Sequence, residues 1–132
     1  MVYVTRRVSF SSAHHLRNDG YDEEENKRIF GKCANTHGHN YELEVTLKGE
    51  IDHSTGYVFD LKVLKDILKR EFVDIADHAS LNDVPALKGL NPTAENVVVA
   101  VWRLIEGKMG NAKLHSVKLY ETVNNIAEYR GE

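Results

Sequence analysis

The sequence predicts an α+β fold: an antiparallel four-stranded sheet with two helices on one face. Three observations predict it. Two long stretches near the start alternate apolar and polar residues. Two stretches in the middle repeat apolar residues at helical spacing, and two short alternating stretches close the chain. The order β-β-α-α-β-β places strands at both ends of the chain and helices between them, which suits helices packed on one side of a sheet.

Residues 2–13 read as the first strand, with Val2, Val4, Val8 and Phe10 on one parity and Arg6 interrupting them. Residues 39–49 give the clearest strand, with Tyr41, Leu43, Val45 and Leu47 facing one way and Asn40, Glu42, Glu44, Thr46 and Lys48 the other. The polar segment 16–36 between them reads as a long loop, with room for a short helix near 22–29. A loop of that length in a compact domain is often a working part. Residues 61–73 carry Leu61, Leu64, Ile67, Leu68 and Phe72 at helical spacing behind a candidate N-cap, Asp60. A second helix fits 93–107, with Pro92 just outside it and Val97, Val98, Val101, Leu104 and Ile105 as its apolar stripe. Strands at 113–121 and 125–130, joined by a turn at Asn124-Asn125, complete the chain.

The chain has 132 residues, 42% of them hydrophobic and 28% charged, which suits one domain spanning 1–132. A formal net charge of −3 gives no electrostatic footprint for nucleic acid. The single cysteine, Cys33, cannot form an intrachain disulfide and points to a reducing compartment. The N-terminal stretch lacks the apolar core of a signal peptide, and no segment approaches the roughly 20 apolar residues that cross a bilayer. The expectation is a cytoplasmic protein with no membrane partner.

The stretch "THGHNYELEV" places two histidines on either side of Gly38, where a strand enters a core. On a strand, residues two apart point the same way. His37 and His39 therefore share the parity of Tyr41, Leu43 and Val45. In "FSSAHHL", His14 has the parity of Val8 and Phe10. If the first two strands pair antiparallel, the end of one lies beside the start of the other, and His14, His37 and His39 converge. Three neutral imidazoles at the edge of a core make a first shell for Zn²⁺ with the fourth tetrahedral position open, the pattern of catalytic rather than structural zinc. His53 and His115 lack such company and read as ordinary surface or core histidines.

Cys33 lies four residues before His37 in a polar context, beside Lys32 and near the expected cation, conditions that favour thiolate. Asp77-His78 is a carboxylate–imidazole pair of the kind used in acid–base relays, though the dipeptide alone reads first as a turn, with Asp77 capping and His78 exposed. Glu121 closes the strand "VKLYET" on the apolar parity. A carboxylate turned inward needs a partner: an Arg or Lys of the protein, or the paired N–H groups of a guanidine-like heterocycle.

The blocks "SFSSAHHL", "FGKCANTHGHNY", "ADHASLNDVP", "NPTAENV" and "YETVNNI", in this order, resemble the 6-pyruvoyltetrahydropterin synthase / 6-carboxytetrahydropterin synthase family, from Val8 to Gly131. The resemblance implies the tunnelling fold, with the sheets of three subunits forming a barrel and two trimers stacking into a homohexamer. It implies 7,8-dihydroneopterin triphosphate as substrate and Zn²⁺ as cofactor, held by His14, His37 and His39. Cys33 matches the catalytic thiol that accepts a proton from the substrate side chain. Asp77 and His78 match a relay pair that works with the cysteine across a subunit boundary. Glu121 matches the glutamate that anchors the pterin ring and joins the relay. Thr93 falls in a second pterin-contacting block, which departs from the family pattern here by reading Thr-Ala rather than Thr-Thr.

The family has two branches. Three residues, Ala34 to Thr36, separate Cys33 from His37, the spacing of the carboxy branch; the pyruvoyl branch has five. The spacing touches the geometry of base and metal. The expectation drawn from it is a lyase releasing acetaldehyde, triphosphate and 6-carboxy-5,6,7,8-tetrahydropterin on the queuosine route. The stretches "DEEENKRIFGKC" and "YETVNNI" look more like the alternative, a 6-pyruvoyltetrahydropterin synthase on the tetrahydrobiopterin route. A non-catalytic, zinc-stabilised pterin-binding protein is the reading from another class, opposed by the presence of Cys33, Asp77, His78 and Glu121. A GTP cyclohydrolase would call for cysteine zinc ligands that a one-cysteine chain lacks.

Overall fold

The computed structural model describes residues 1–132. Strand β1 (Val2–His14) pairs antiparallel with β2 (His37–Gly49) along its whole length, from Val2 opposite Gly49 to His14 opposite His37. The polar connection holds helix α1 (Glu23–Phe30), capped by the Asp22 carboxylate, which accepts from the Glu25 N–H at 2.8 Å. Gly31 ends α1 with φ +57°, a left-handed conformation suited to glycine, and a 3₁₀ turn (Gly31–Ala34) carries Cys33.

Helix α2 (Leu61–Leu68) begins at its Asp60 cap and continues through a wider π turn (Lys69–Val73) into a last short turn, α3 (Asp74–Ala76). Helix α4 (Ala94–Ile105) begins at Thr93, whose hydroxyl accepts from the Asn96 N–H at 3.2 Å. Strand β4 (Lys113–Tyr120) lies antiparallel to β2, and β5 (Ile126–Tyr129) lies antiparallel to β4.

The sheet has five strands rather than the four expected, in the order β3-β1-β2-β4-β5. The extra strand, β3 (Ala79–Ser80), is two residues long and runs parallel to Ser12 and Ala13 of β1. A two-residue strand leaves no periodicity to read. What holds it comes from β1, far off in the chain: the His78 N–H donates to the Ser11 carbonyl at 2.6 Å, and the Ser12 hydroxyl donates to the Ala79 carbonyl at 2.8 Å.

The alternation of each strand decides its two faces. Val8, Phe10, Tyr41, Leu43, Val45, Leu47, Val117 and Leu119 are buried in one apolar cluster with Leu64, Leu68 and Phe72 of the α2 arm and Val97, Val101 and Ile105 of α4. The opposite face carries polar cross-strand pairs. Thr5 bonds Thr46 at 2.7 Å, Arg7 Nε donates to Glu44 at 2.9 Å, and Ser9 donates to Glu42 at 2.7 Å. Arg6, on the apolar parity of β1, is half-buried, and its Nε finds no acceptor. No helix is long and apolar enough to cross a membrane.

Candidate active site

The full-length register of β1 on β2 brings His14 level with His37, and the strand alternation adds His39 on the same face. The ligand atoms of the three imidazoles all lie within 4.8 Å of one another. His14 is 1% exposed, while His37 and His39 are half-buried at the rim. Backbone carbonyls fix two of the rings. His14 Nδ1–H donates to the Pro92 carbonyl at 2.8 Å, and His37 Nδ1–H donates to the Asn35 carbonyl at 2.7 Å. Each bond places the ring proton on Nδ1 and leaves the Nε2 lone pair free, which is how metal-binding histidines are oriented.

Burial pushes the His14 imidazole below its ordinary pKa, so it stays neutral. The Nε2 atoms of His14 and His39 are buried without any hydrogen-bond partner. Two buried ring nitrogens without partners in one cluster are costly without a ligand. Three convergent nitrogen donors fit a metal of the zinc type.

Glu121 stands at the end of β4 with Oε1 3.7 Å from His39 Nε2, its side chain 20% exposed. No Arg or Lys of the chain pairs with it. The ionisable nitrogen nearest to the carboxylate is that of His39. Glu121 also lines a groove of about 820 Å³ between the β4–β5 turn and α4, together with Ala94, Val98 and Tyr129.

Asp77 and His78 are brought together: Asp77 Oδ2 is 3.0 Å from His78 Nδ1, and Asp77 Oδ1 accepts from the Ser11 N–H at 2.9 Å. The Ser11 N–H, with help from His78, holds the Asp77 carboxyl below the usual carboxylate range. His78 adopts φ +57°, the chain's one left-handed non-glycine residue, with its imidazole 84% exposed. Strain of this sort gathers where a side chain has to be presented. His78 and His39 border the same open depression of about 570 Å³ beside Ser11 and Asn40.

Cys33 is exposed in its 3₁₀ turn. Its carbonyl accepts from the Leu16 N–H at 2.8 Å, tying the turn to the residues that follow His14. Thr93 is the α4 cap and directly follows Pro92, the residue that orients His14. Sequence reasoning missed the supporting groups: the carbonyls of Asn35 and Pro92 and the N–H of Ser11. Backbone groups leave no residue-type signature.

Fold and site together define a small α+β protein whose sheet end carries a three-histidine centre able to hold a metal, beside a carboxylate without a cationic partner. Comparison with known proteins narrows this class. Residues 3–132 match the family model described as 6-pyruvoyl tetrahydropterin synthase, and the chain belongs to that family. It is 46% identical over 132 residues to a 6-pyruvoyl tetrahydrobiopterin synthase of Dictyostelium discoideum, covering 99% of this chain and 97% of that one. A 6-carboxy-5,6,7,8-tetrahydropterin synthase of Haemophilus influenzae is 29% identical over 151 residues, covering 98% and 99%. Among solved structures, 6-pyruvoyl tetrahydropterin synthase of Caenorhabditis elegans superposes with a TM-score of 0.90 at 38% identity, covering 99% of this chain and 96% of that one.

Proposed function

We propose that the protein is a metal-dependent lyase that eliminates triphosphate from 7,8-dihydroneopterin triphosphate and leaves 6-pyruvoyltetrahydropterin. The observation that carries the product assignment is the identity gradient: 46% to the pyruvoyl-type relative against 29% to the carboxy-type one. The spacing of Cys33 from His37 is the one feature that favours the carboxy product, and we rank it below an identity difference that runs over the whole chain. The reaction needs no external oxidant or reductant. The C–O bond to triphosphate breaks; the two side-chain carbinols are oxidised to carbonyls, and the electrons they lose reduce the ring C=N bond and the carbon that carried triphosphate, which becomes a methyl group.

His14, His37 and His39 would hold the metal, for which Zn²⁺ fits the donor set best. A bound divalent cation supplies Lewis-acid stabilisation of negative charge on a substrate side-chain oxygen. Glu121 receives the paired N–H groups of the pterin's aminopyrimidine edge, and the Thr93 block borders the ring. The Cys33 thiolate takes a carbon-bound proton. His78, oriented by Asp77, returns a proton on the other side. Its exposure on this chain suits a group that completes the site of a neighbouring copy, in a homo-oligomer of the hexameric kind. The family match over 3–132 and one continuous core support a single domain. The lack of a membrane-crossing helix and the lone thiol are compatible with a cytoplasmic enzyme.

The test is product analysis by mass spectrometry after incubating the zinc-loaded protein with the substrate. Expected is 6-pyruvoyltetrahydropterin with triphosphate and no acetaldehyde. Acetaldehyde with 6-carboxytetrahydropterin would reverse the assignment and vindicate the spacing. Zinc binding with no turnover would support a non-catalytic pterin-binding protein instead.

A further inference from the structure

Tyr41 is among the most deeply buried side chains in the protein, 1% exposed, yet its hydroxyl has no hydrogen-bond partner. Its ring stacks on Phe10 with centroids 4.9 Å apart and meets the His39 ring edge-on at 5.5 Å. Phenylalanine would make the same packing without the cost of an unsatisfied phenol. A buried hydroxyl that nothing in the resting chain satisfies asks for a partner acquired in another state.

The sheet register names that partner. The β2–β4 ladder pairs Leu43 with Leu119 and ends with Glu42 opposite Tyr120. Continued one step past the end of that ladder, the same register puts Tyr41 across from Glu121, the residue that follows β4. Leu43 and Leu119 are both buried on the helix-covered face. Tyr41 and Glu121, two residues along from each, project to that same face as cross-strand neighbours. Glu121 is the complementary orphan: no group of the chain donates a hydrogen bond to its carboxylate, and His39 Nε2 stands 3.7 Å away. A donor and an acceptor that do not bond each other in the resting chain thus fall at neighbouring register positions at the edge of the metal centre.

We propose that Tyr41 is a positioning residue for Glu121: when a pterin binds, the phenol donates to one carboxylate oxygen and fixes the edge that Glu121 presents to the heterocycle. The inference rests on the proposed role of Glu121 as the pterin anchor. Tyr41 touches neither the reacting side chain nor the metal. Its effect falls on binding, and it is transmitted only through Glu121.

The test is a double-mutant cycle on the metal-free protein, titrating the fluorescent pterin neopterin into wild type, Tyr41→Phe, Glu121→Gln and the double variant. Wild type binds, and Tyr41→Phe weakens binding about fivefold to tenfold, the size of one lost hydrogen bond to a charged group. The melting temperature of Tyr41→Phe is equal to or above that of wild type. The double variant binds no more weakly than Glu121→Gln alone. In turnover by the metal-loaded enzyme, Tyr41→Phe raises KM more than it lowers kcat. Unchanged neopterin affinity, additive losses in the double variant, or a lowered melting temperature in Tyr41→Phe would each overturn the inference. Wild type that fails to bind neopterin would instead overturn the pterin reading of Glu121, and this inference with it.

Discussion

Replacing His14 by leucine separates what the histidine does for the fold from what it does for the site. Leucine fills a similar volume in a position that is 1% exposed. The substitution removes the donor to the Pro92 carbonyl, 2.8 Å away, at a cost of about 1–3 kcal/mol. It also removes the buried Nε2 that has no partner, which recovers about 1–3 kcal/mol of desolvation. The two terms offset to within about 2 kcal/mol, or about 7 °C in melting temperature for a chain of this size. The metal side does not cancel. A cation present at about 1,000 times its Kd stabilises the wild type by about 4 kcal/mol, about 15 °C. Two remaining imidazoles cannot reproduce that. Thermal unfolding with and without added Zn²⁺ reads both terms. The expected result is a metal-free His14→Leu protein that melts near the wild type and gains nothing from zinc. A zinc shift of wild-type size would refute the three-histidine centre. A metal-free loss beyond about 3 kcal/mol would show that the imidazole serves the core.

Two further outcomes follow from the acid–base groups. Cys33 is exposed and makes only a backbone contact, so Cys33→Ala should keep fold and metal stoichiometry while turnover falls by about 10²–10⁴-fold, measured by triphosphate release. Full activity in a folded, metal-loaded Cys33→Ala protein would remove the thiol from the mechanism. Asp77 has its folded pKa held below the ordinary 3.8, chiefly by the Ser11 N–H, so its stabilising contribution is complete above that value and is lost as pH falls through the lower folded one. Urea unfolding of wild type and Asp77→Asn should therefore differ most near neutrality and converge as the pH falls below 3.8. A gap that widens on acidification would contradict the assigned direction.

The strand alternation placed His14, His37 and His39 on one face before any coordinates, because a period of two is a property of the backbone itself. The helix caps at Asp60 and Thr93 were legible for a similar reason: the side chain that caps is next to the N–H it satisfies. Strand β3 was not legible, since it exists only because Ser11 and Ser12 offer hydrogen bonds to a segment 66 or more residues away. The anchor of Asp77 was hidden in the same way. The family blocks marked it as half of a relay pair, but the dipeptide alone reads as a turn, and it becomes a fixed carboxylate only when the Ser11 N–H of β1 reaches it.

The sequence by itself determined which residue types face the core, where the helices begin, and that three imidazoles, one thiol and one inward carboxylate are available. It also carried the family, through five ordered blocks. The tertiary structure decided the partnerships. It tied His14 to the carbonyl of Pro92, left Glu121 without an Arg or Lys partner, and left the buried hydroxyl of Tyr41 unpaired. Those relations join residues tens of positions apart through sheet register and backbone carbonyls, and local periodicity carries no information about either.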